Sequence, residues 1–305
     1  MRMQIKAKSF TVFAIGASLM ALTACGGGSP SQPDGKDAAS QVVQQKDAAV
    51  AAMVPESITS SGTLRVATDP TYAPFESTAA DGKTIVGFDP DLANAIAGVL
   101  GLKVQFVPTS FDALIPALQA GQVDMALSSI GDTKLREKTV DFATYYWNGT
   151  LLLVGKGNPK QLASDRACGV KVGVIRGSLQ QTTFLPGQTA TCKAAGLAAP
   201  TANVFQNAPQ AELALQSNRI DAVMLDAPPL ADAAAKNPTK FETVGPLLKN
   251  PNPGGVALPK NSKLTAAVNA ALNKIIASGT YGKLLAKWNL TPIKIEKSEI
   301  NGALS

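Results

Sequence analysis

A chain of 305 residues, 45% hydrophobic and 16% charged, has globular composition and is long enough for two lobes with separate cores. It has no histidine and only three cysteines, which excludes a histidine-based triad or metal site and argues against a multi-cysteine zinc site. The net charge of +6 includes Arg2, Lys6 and Lys8 in a segment expected to be removed, so the surplus left over is too small to argue for nucleic acid.

Residues 1–8 carry those three cations and no anion, and residues 10–22 are almost all apolar. That run is short for a membrane span and suits a secretory signal. It ends in Leu22-Thr23-Ala24-Cys25-Gly26, which resembles a bacterial lipobox. The expectation is a lipoprotein signal peptide over 1–24 and a lipid on Cys25 that tethers the chain to a membrane face. Residues 25–60, rich in Gly, Ser, Pro, Gln, Asp and Ala, read as a flexible tether. In an exported chain the remaining cysteines, Cys168 and Cys192, are expected to pair.

The first strand is predicted over 63–67, followed by a Pro-rich loop from Asp69 to Phe75. A helix follows, capped by Asp89, with Pro90 in its first turn, Leu92, Ile96, Val99 and Leu100 on one face, and Gly101 at its end. A strand at 104–107, a helix at 111–120 and a strand at 123–127 complete an α/β unit with a mostly parallel sheet. The segment Ala117–Leu127 has an echo in Ala214–Met224: helix end, turn, and an apolar strand opened by Asp124 or Asp221. Two topologically similar lobes follow from that repeat. Strand-like runs at 150–154 and 255–258 flank the second unit, so the chain is expected to cross between lobes twice and form a hinge over a small-molecule cleft. The predicted division is lobe 1 over 61–149 and 256–292, lobe 2 over 150–255, and a tail over 293–305. Ser262 caps a helix bearing Leu264, Val268, Leu272 and Ile275, and a shorter helix carries Tyr281, Leu284, Leu285 and Trp288.

Candidate chemistry sits at the carboxyl ends of the strands, where open α/β sheets bind ligands. Ser128-Ser129-Ile130-Gly131 leaves one such strand, and Thr133 can cap a turn that puts Arg136 near a positive helix end. An external anion would make that placement favourable; a solvated surface arginine reads the same way. Ser178, in the Gly177-Ser178 turn after the strand 172–175, can face the same anion or simply make the turn. Asp226 ends the strand 220–225 and can receive an ammonium group or cap the next helix. Tyr72 and Phe111 can wall a ligand or pack in the core, and Asp69 can hold a polar ligand tip or cap its own turn.

The runs Arg65–Glu76, Gly87–Ala93, Phe111–Pro116 and Val140–Phe142, together with Asp226 and Val268–Leu272, resemble the polar-amino-acid family of bacterial extracellular solute-binding proteins, in order over about 62–290. Lysine/arginine/ornithine- and histidine-binding proteins are its familiar members. The resemblance implies a two-lobed Venus-flytrap fold that serves an ATP-driven (ABC) importer as a monomer, with a membrane permease as partner and no cofactor. Arg136 matches the family's carboxylate-binding arginine, and Asp226 its ammonium-binding aspartate. Ser129 and Ser178 match positions that contact the amino-acid backbone, and Ser128 and Gly131 join them as ligand-binding candidates. Tyr72 and Phe111 match aromatic walls, and Asp69 a side-chain-binding acid. Gly131 stands where Ser is common, Asp132 where an apolar residue is usual, and Leu179 where Thr often helps bind the carboxylate. The rival readings are a prephenate or arogenate dehydratase on the same fold, with Asp132 or Asp69 as general acid, and a ligand-sensing module.

Overall fold

The computed structural model describes residues 44–305. The expected signal peptide, the lipidation of Cys25 and the tether as far as residue 43 lie outside the described residues. The rest of the predicted tether is not a tether: α1 (Ala48–Ala51) and α2 (Glu56–Ser61) form there. Asp47 caps α1, its carboxylate accepting from the amides of Ala49 and Val50 at 3.1 Å each. Val50 and Val54 are buried in the main apolar cluster with Leu92 and Ile96. Average composition hides two such valines, yet burying them is worth about 1.5–3 kcal/mol each, enough to fix a short segment.

The first lobe begins with β1 (Thr63–Thr68). The loop after it folds into a small antiparallel sheet of β2 (Thr71–Tyr72), β3 (Glu76–Thr78) and β4 (Ile85–Val86). Helix α3 (Phe88–Leu100) starts one residue before the expected cap: Gly87, at φ 144°, is the N-cap, and Asp89 lies inside the first turn. Gly101 ends the helix in the left-handed region, as the sequence predicts. Strand β5 (Lys103–Pro108), a 3-10 turn at Phe111–Ala113, α4 (Leu114–Gln119), the two-residue β6 (Met125–Ala126) and β7 (Val140–Tyr146) complete the chain's first pass through this lobe.

The chain then enters the second lobe through β8 (Gly149–Gly155) and continues with β9 (Lys171–Ile175), α5 (Leu185–Ala194), β10 (Thr201–Phe205), α6 (Ala208–Gln216), β11 (Ala222–Asp226), α7 (Ala227–Lys236) and β12 (Phe241–Lys249). It returns through β13 (Gly254–Pro259), and α8 (Lys263–Ala277) and α9 (Thr280–Lys287) close the first lobe. The strand orders are β5-β1-β6-β13-β7 and β10-β9-β11-β8-β12. In each sheet the first three strands are parallel and the last two run against their neighbours. The echo noted in the sequence therefore occupies equivalent places, α4 to β6 and α6 to β11. Alternate residues bury opposite faces: Leu153, Val223 and Leu225 join one cluster, and Leu152, Val154 and Met224 another.

The strands at 150–154 and 255–258 are not themselves the hinge. β8 and β13 belong to different sheets, and the crossings are the short stretches 147–148 and 250–253, joined by Asn250 N–H to the Asn148 carbonyl at 3.0 Å. The tail also docks rather than trailing. Asn301 N–H donates to the Phe142 carbonyl at 3.0 Å, and Asn252 Oδ1 accepts from the amides of Leu304 and Ser305 at 2.7 and 3.0 Å. Cys168 and Cys192 form a disulfide with Cα atoms 5.6 Å apart, tying the start of β9 to α5. Among the described residues no helix is long and apolar enough to cross a membrane.

Candidate ligand cleft

The strands of both sheets end at one cavity, the usual place for a small-molecule site in such sheets. All nine binding residues predicted from the sequence line it: Asp69, Tyr72, Phe111, Ser128, Ser129, Gly131, Arg136, Ser178 and Asp226. Thr71, Glu76, Tyr146, Ile175, Gln180 and Asn250 line it too without having been singled out as ligand contacts, and so does Leu179, noted in the sequence as standing at a carboxylate-binding position.

On the first lobe, β1 delivers Asp69 to the cavity mouth. Its carboxylate accepts the Thr71 hydroxyl at 2.7 Å and the Phe111 amide at 3.0 Å. Burial raises its pKa and these two donors oppose the rise. Ser128 Oγ donates to Glu76 at 2.7 Å and accepts the Asp69 amide at 3.1 Å, which joins the loop after β6 to the loop after β1. Ser129 sits at φ 48°, a conformation non-glycine residues rarely adopt. Its amide donates to Asp89 Oδ2 at 2.9 Å, and Tyr145 OH donates to the same oxygen at 2.8 Å.

Glu76 and Asp89 are both fully buried, side by side beneath the Ser128-Ser129 turn. Burial, then mutual repulsion, holds the Glu76 carboxyl well above the ordinary range; burial pushes Asp89 up to about 7. The pair therefore keeps a proton near neutral pH. One sequence signal could have revealed it: two acids inside the otherwise apolar contexts of Phe75 and Phe88.

On the second lobe, Asp226 occupies the N-cap position of α7 but makes no capping bond. Its carboxylate points into the cavity, where it accepts Gln180 Nε2 at 3.0 Å, Tyr72 OH at 3.1 Å and Ser129 Oγ at 3.4 Å. Burial raises its pKa, and Gln180 foremost, then Tyr72, lower it. The bonds from Tyr72 and Ser129 cross between lobes. Ser178 lines the wall: its amide donates to Ile175 O at 3.1 Å, and its hydroxyl accepts the Gln181 amide at 3.2 Å, which leaves the hydroxyl proton to donate.

Thr133 caps the turn bearing Arg136 as predicted, accepting the Arg136 amide at 3.1 Å, though the turn is a single 3-10 turn. The guanidinium is not a solvated surface group. Nη1 donates to the Gly131 carbonyl at 2.6 Å and Nη2 to the Gly177 carbonyl at 2.8 Å, one from each lobe. Its carbon lies 5.9 Å from the Phe111 ring centroid, and burial lowers its pKa. The cleft thus sets three carboxyl groups against one guanidinium. Asp132, the other proposed general acid, is fully buried outside the cavity lining.

Two lobes of matched topology, a double crossing and a polar cleft at the strand ends agree with the family model of bacterial extracellular solute-binding proteins, family 3, which matches residues 64–291. The chain belongs to this family. Among curated family relatives, the arginine-binding protein ArgT of Corynebacterium glutamicum is 31% identical over 88% of this chain and 87% of its own. Among solved structures, an ancestral arginine-binding protein bound to arginine is 38% identical, covers 74% of this chain and 98% of its own, and superposes with a TM-score of 0.68. An ancestral amino acid-binding protein described as a precursor of cyclohexadienyl dehydratase is 35% identical, covers 76% and 97%, and gives a TM-score of 0.64. The family fold is the Venus-flytrap expected from the sequence, and family members supply ABC importers with their solutes.

Proposed function

We propose that this solute-binding protein captures a cationic amino acid between its lobes and delivers it to an ABC permease. The observation that carries this reading is the charge arrangement in one shared cavity. Asp226 of the second lobe meets Tyr72 and Ser129 of the first, and Asp69 stands beside the Phe111 wall. In this reading the ligand's ammonium group binds Asp226, its basic side chain lies between Tyr72 and Phe111 with the tip at Asp69, and its carboxylate turns toward Arg136 and Ser178. Closure follows because only the closed lobes satisfy both ends of the ligand. The names of the arginine-binding relatives support a basic ligand.

The protein binds and releases its ligand unchanged. A dehydratase needs an acid placed at its substrate, and Asp132 is absent from the cleft wall while Asp69 is held by two donors. Calorimetry with the common amino acids tests the function directly. A basic amino acid is expected to bind at about micromolar affinity, which corresponds to about −8 kcal/mol. Asp226→Asn is expected to weaken it roughly 100-fold, the scale of a buried charged partner; unchanged affinity in that variant refutes the ammonium site.

Lipid on Cys25 would hold the exported monomer at the outer face of the cytoplasmic membrane, and the Leu22–Cys25 motif supports that placement. Radiolabelled palmitate is expected to label the wild type in growing cells and to leave Cys25→Ala unlabelled.

A further inference from the structure

Residues 298–305 lie beyond residue 291, where the family match ends, and none of them lines the ligand cleft. Their first half covers an open sheet edge, since β7 is the outer strand of the first sheet. Thr144 N–H donates to the Glu299 carbonyl at 2.9 Å, Glu299 N–H donates to Thr144 Oγ1 at 2.9 Å, and Ile300 pairs with Ala143 as a single bridge. Asn301 then turns the chain off that edge at φ 55°, its side-chain oxygen accepting the Phe142 amide at 2.9 Å. Gly302 passes close over the second crossing: a Cβ there would lie 3.4 Å from Pro253 Cγ and 2.9 Å from Thr144 Cγ2.

The end of the segment meets two parts of the binding apparatus at once. The first is Asn252, buried in the second crossing. Its Oδ1 accepts the Leu304 and Ser305 amides, and its Nδ2 donates to the Ser305 carbonyl at 3.0 Å. The second is the turn that carries Arg136. Lys134 N–H donates to the same Ser305 carbonyl at 3.1 Å, and Ala303 N–H donates to Glu137 Oε1 at 3.2 Å. One carbonyl oxygen therefore ties the crossing to the Arg136 turn. Asp132 N–H adds a direct bond to the Pro253 carbonyl at 2.8 Å, so the three segments form one hydrogen-bonded block. The turn itself is a single 3-10 turn, too short to hold its own shape.

We propose that residues 302–305 are a positioning strap: they hold the Arg136 turn and the first-lobe end of the second crossing in the arrangement that receives ligand, and so raise affinity without touching it. Without the strap, turn and crossing must be ordered when the ligand arrives, and that cost is subtracted from binding. No strap residue lines the cleft, so the loss is the same factor for every ligand. The proposal rests on the cleft reading only in that Arg136 serves the ligand.

Three variants of the purified protein test it: a chain ending at Asn301, which loses the clamp but keeps the pairing with β7, full-length Asn252→Ala, and the two changes combined. Calorimetry with L-arginine and L-lysine is expected to show roughly tenfold weaker affinity in either single variant, with the ratio between the two amino acids unchanged. The combined variant is expected within about twofold of either single one, because both changes remove the same clamp. Hydrogen exchange on the ligand-free proteins is expected to quicken about tenfold or more at residues 133–137 and 250–253 and to stay as in the wild type in β1 and β9. Wild-type affinity in the chain ending at Asn301 overturns the proposal, and additive losses overturn the role of Asn252. Exchange that quickens throughout the first lobe makes the segment general structural support and overturns the strap as well. If neither amino acid binds the wild type, the cation reading fails instead, and the exchange arm still decides the strap: unchanged rates at 133–137 overturn it.

Discussion

Asp226 illustrates how a single side chain can read two ways until its neighbours are known. Its position before Ala227 and Pro228 is that of a helix cap, yet the carboxylate turns away from the α7 amides and accepts from Gln180, Tyr72 and Ser129. Gly87 is the opposite case, a residue with no chemistry whose geometry admits no replacement. At φ 144°, a Cβ there would sit 2.1 Å from the Phe75 carbonyl oxygen and 2.7 Å from Glu76 Cα. Gly87→Ala must therefore displace the β3 strand that carries Glu76 or bend the start of α3. A loss of about 2–4 kcal/mol is expected in urea denaturation, the range for strain plus overpacking; an unmoved midpoint would show that this approach is relieved without cost.

The secondary-structure elements divide the work between rigidity and placement. β1 and β9 are the central parallel strands of equivalent halves, and their ends present Asp69 and the 177–180 turn to the same cavity. The disulfide anchors α5, the helix that continues from that turn, to the segment leading into β9. Its sequence separation of 24 residues implies about 3 kcal/mol of stabilisation by the chain-entropy argument. Replacing both cysteines by alanine is expected to lower chemical stability by about that amount. Because Cys192 lies outside the cavity lining, ligand affinity is expected to stay within about threefold. A large affinity loss at unchanged stability would mean that the bridge acts on the cleft rather than on the lobe.

Over the molecule as a whole, buried acids dominate the pH behaviour. Burial raises Asp89 to about 7 beside Glu76, and raises Asp132 to about 7 with Glu137 adding repulsion. A carboxyl whose folded pKa exceeds its unfolded value near 4 binds its proton more tightly in the native state. Its contribution is complete below about pH 4 and is lost as pH rises through about 7. Asp112, Asp141 and Asp221 are shifted the other way, so they favour the fold above about pH 4 and withdraw that support in stronger acid. Stability is therefore expected to be greatest near pH 4, where both sets contribute, and to fall as pH rises from there through about 7. Asp132→Asn, neutral at every pH, is expected to flatten that fall in a series of thermal melts. A profile with the same slope as the wild type would exclude Asp132 as one of its sources.

Local order along the chain was enough for much of the architecture. Short apolar runs marked the strands, Gly101 and Ser262 marked a helix end and a start, and the α4–β6 echo revealed the second lobe because both halves repeat the same backbone path. The nine cleft residues were legible in part for a similar reason, since strand ends and their turns are short-range features, and the family resemblance chose between the ligand and structural roles those features left open. Other features depend on segments far apart in the chain. The Glu76–Asp89 pair, the commitment of Arg136 to carbonyls of both lobes and the docking of residues 301–305 onto β7 and the second crossing all arise from such meetings. Desolvation and steric fit act through space, so local spacing at most hints at them, as the acids beside Phe75 and Phe88 do; they come into being only when distant segments fold together, within a lobe or between the two.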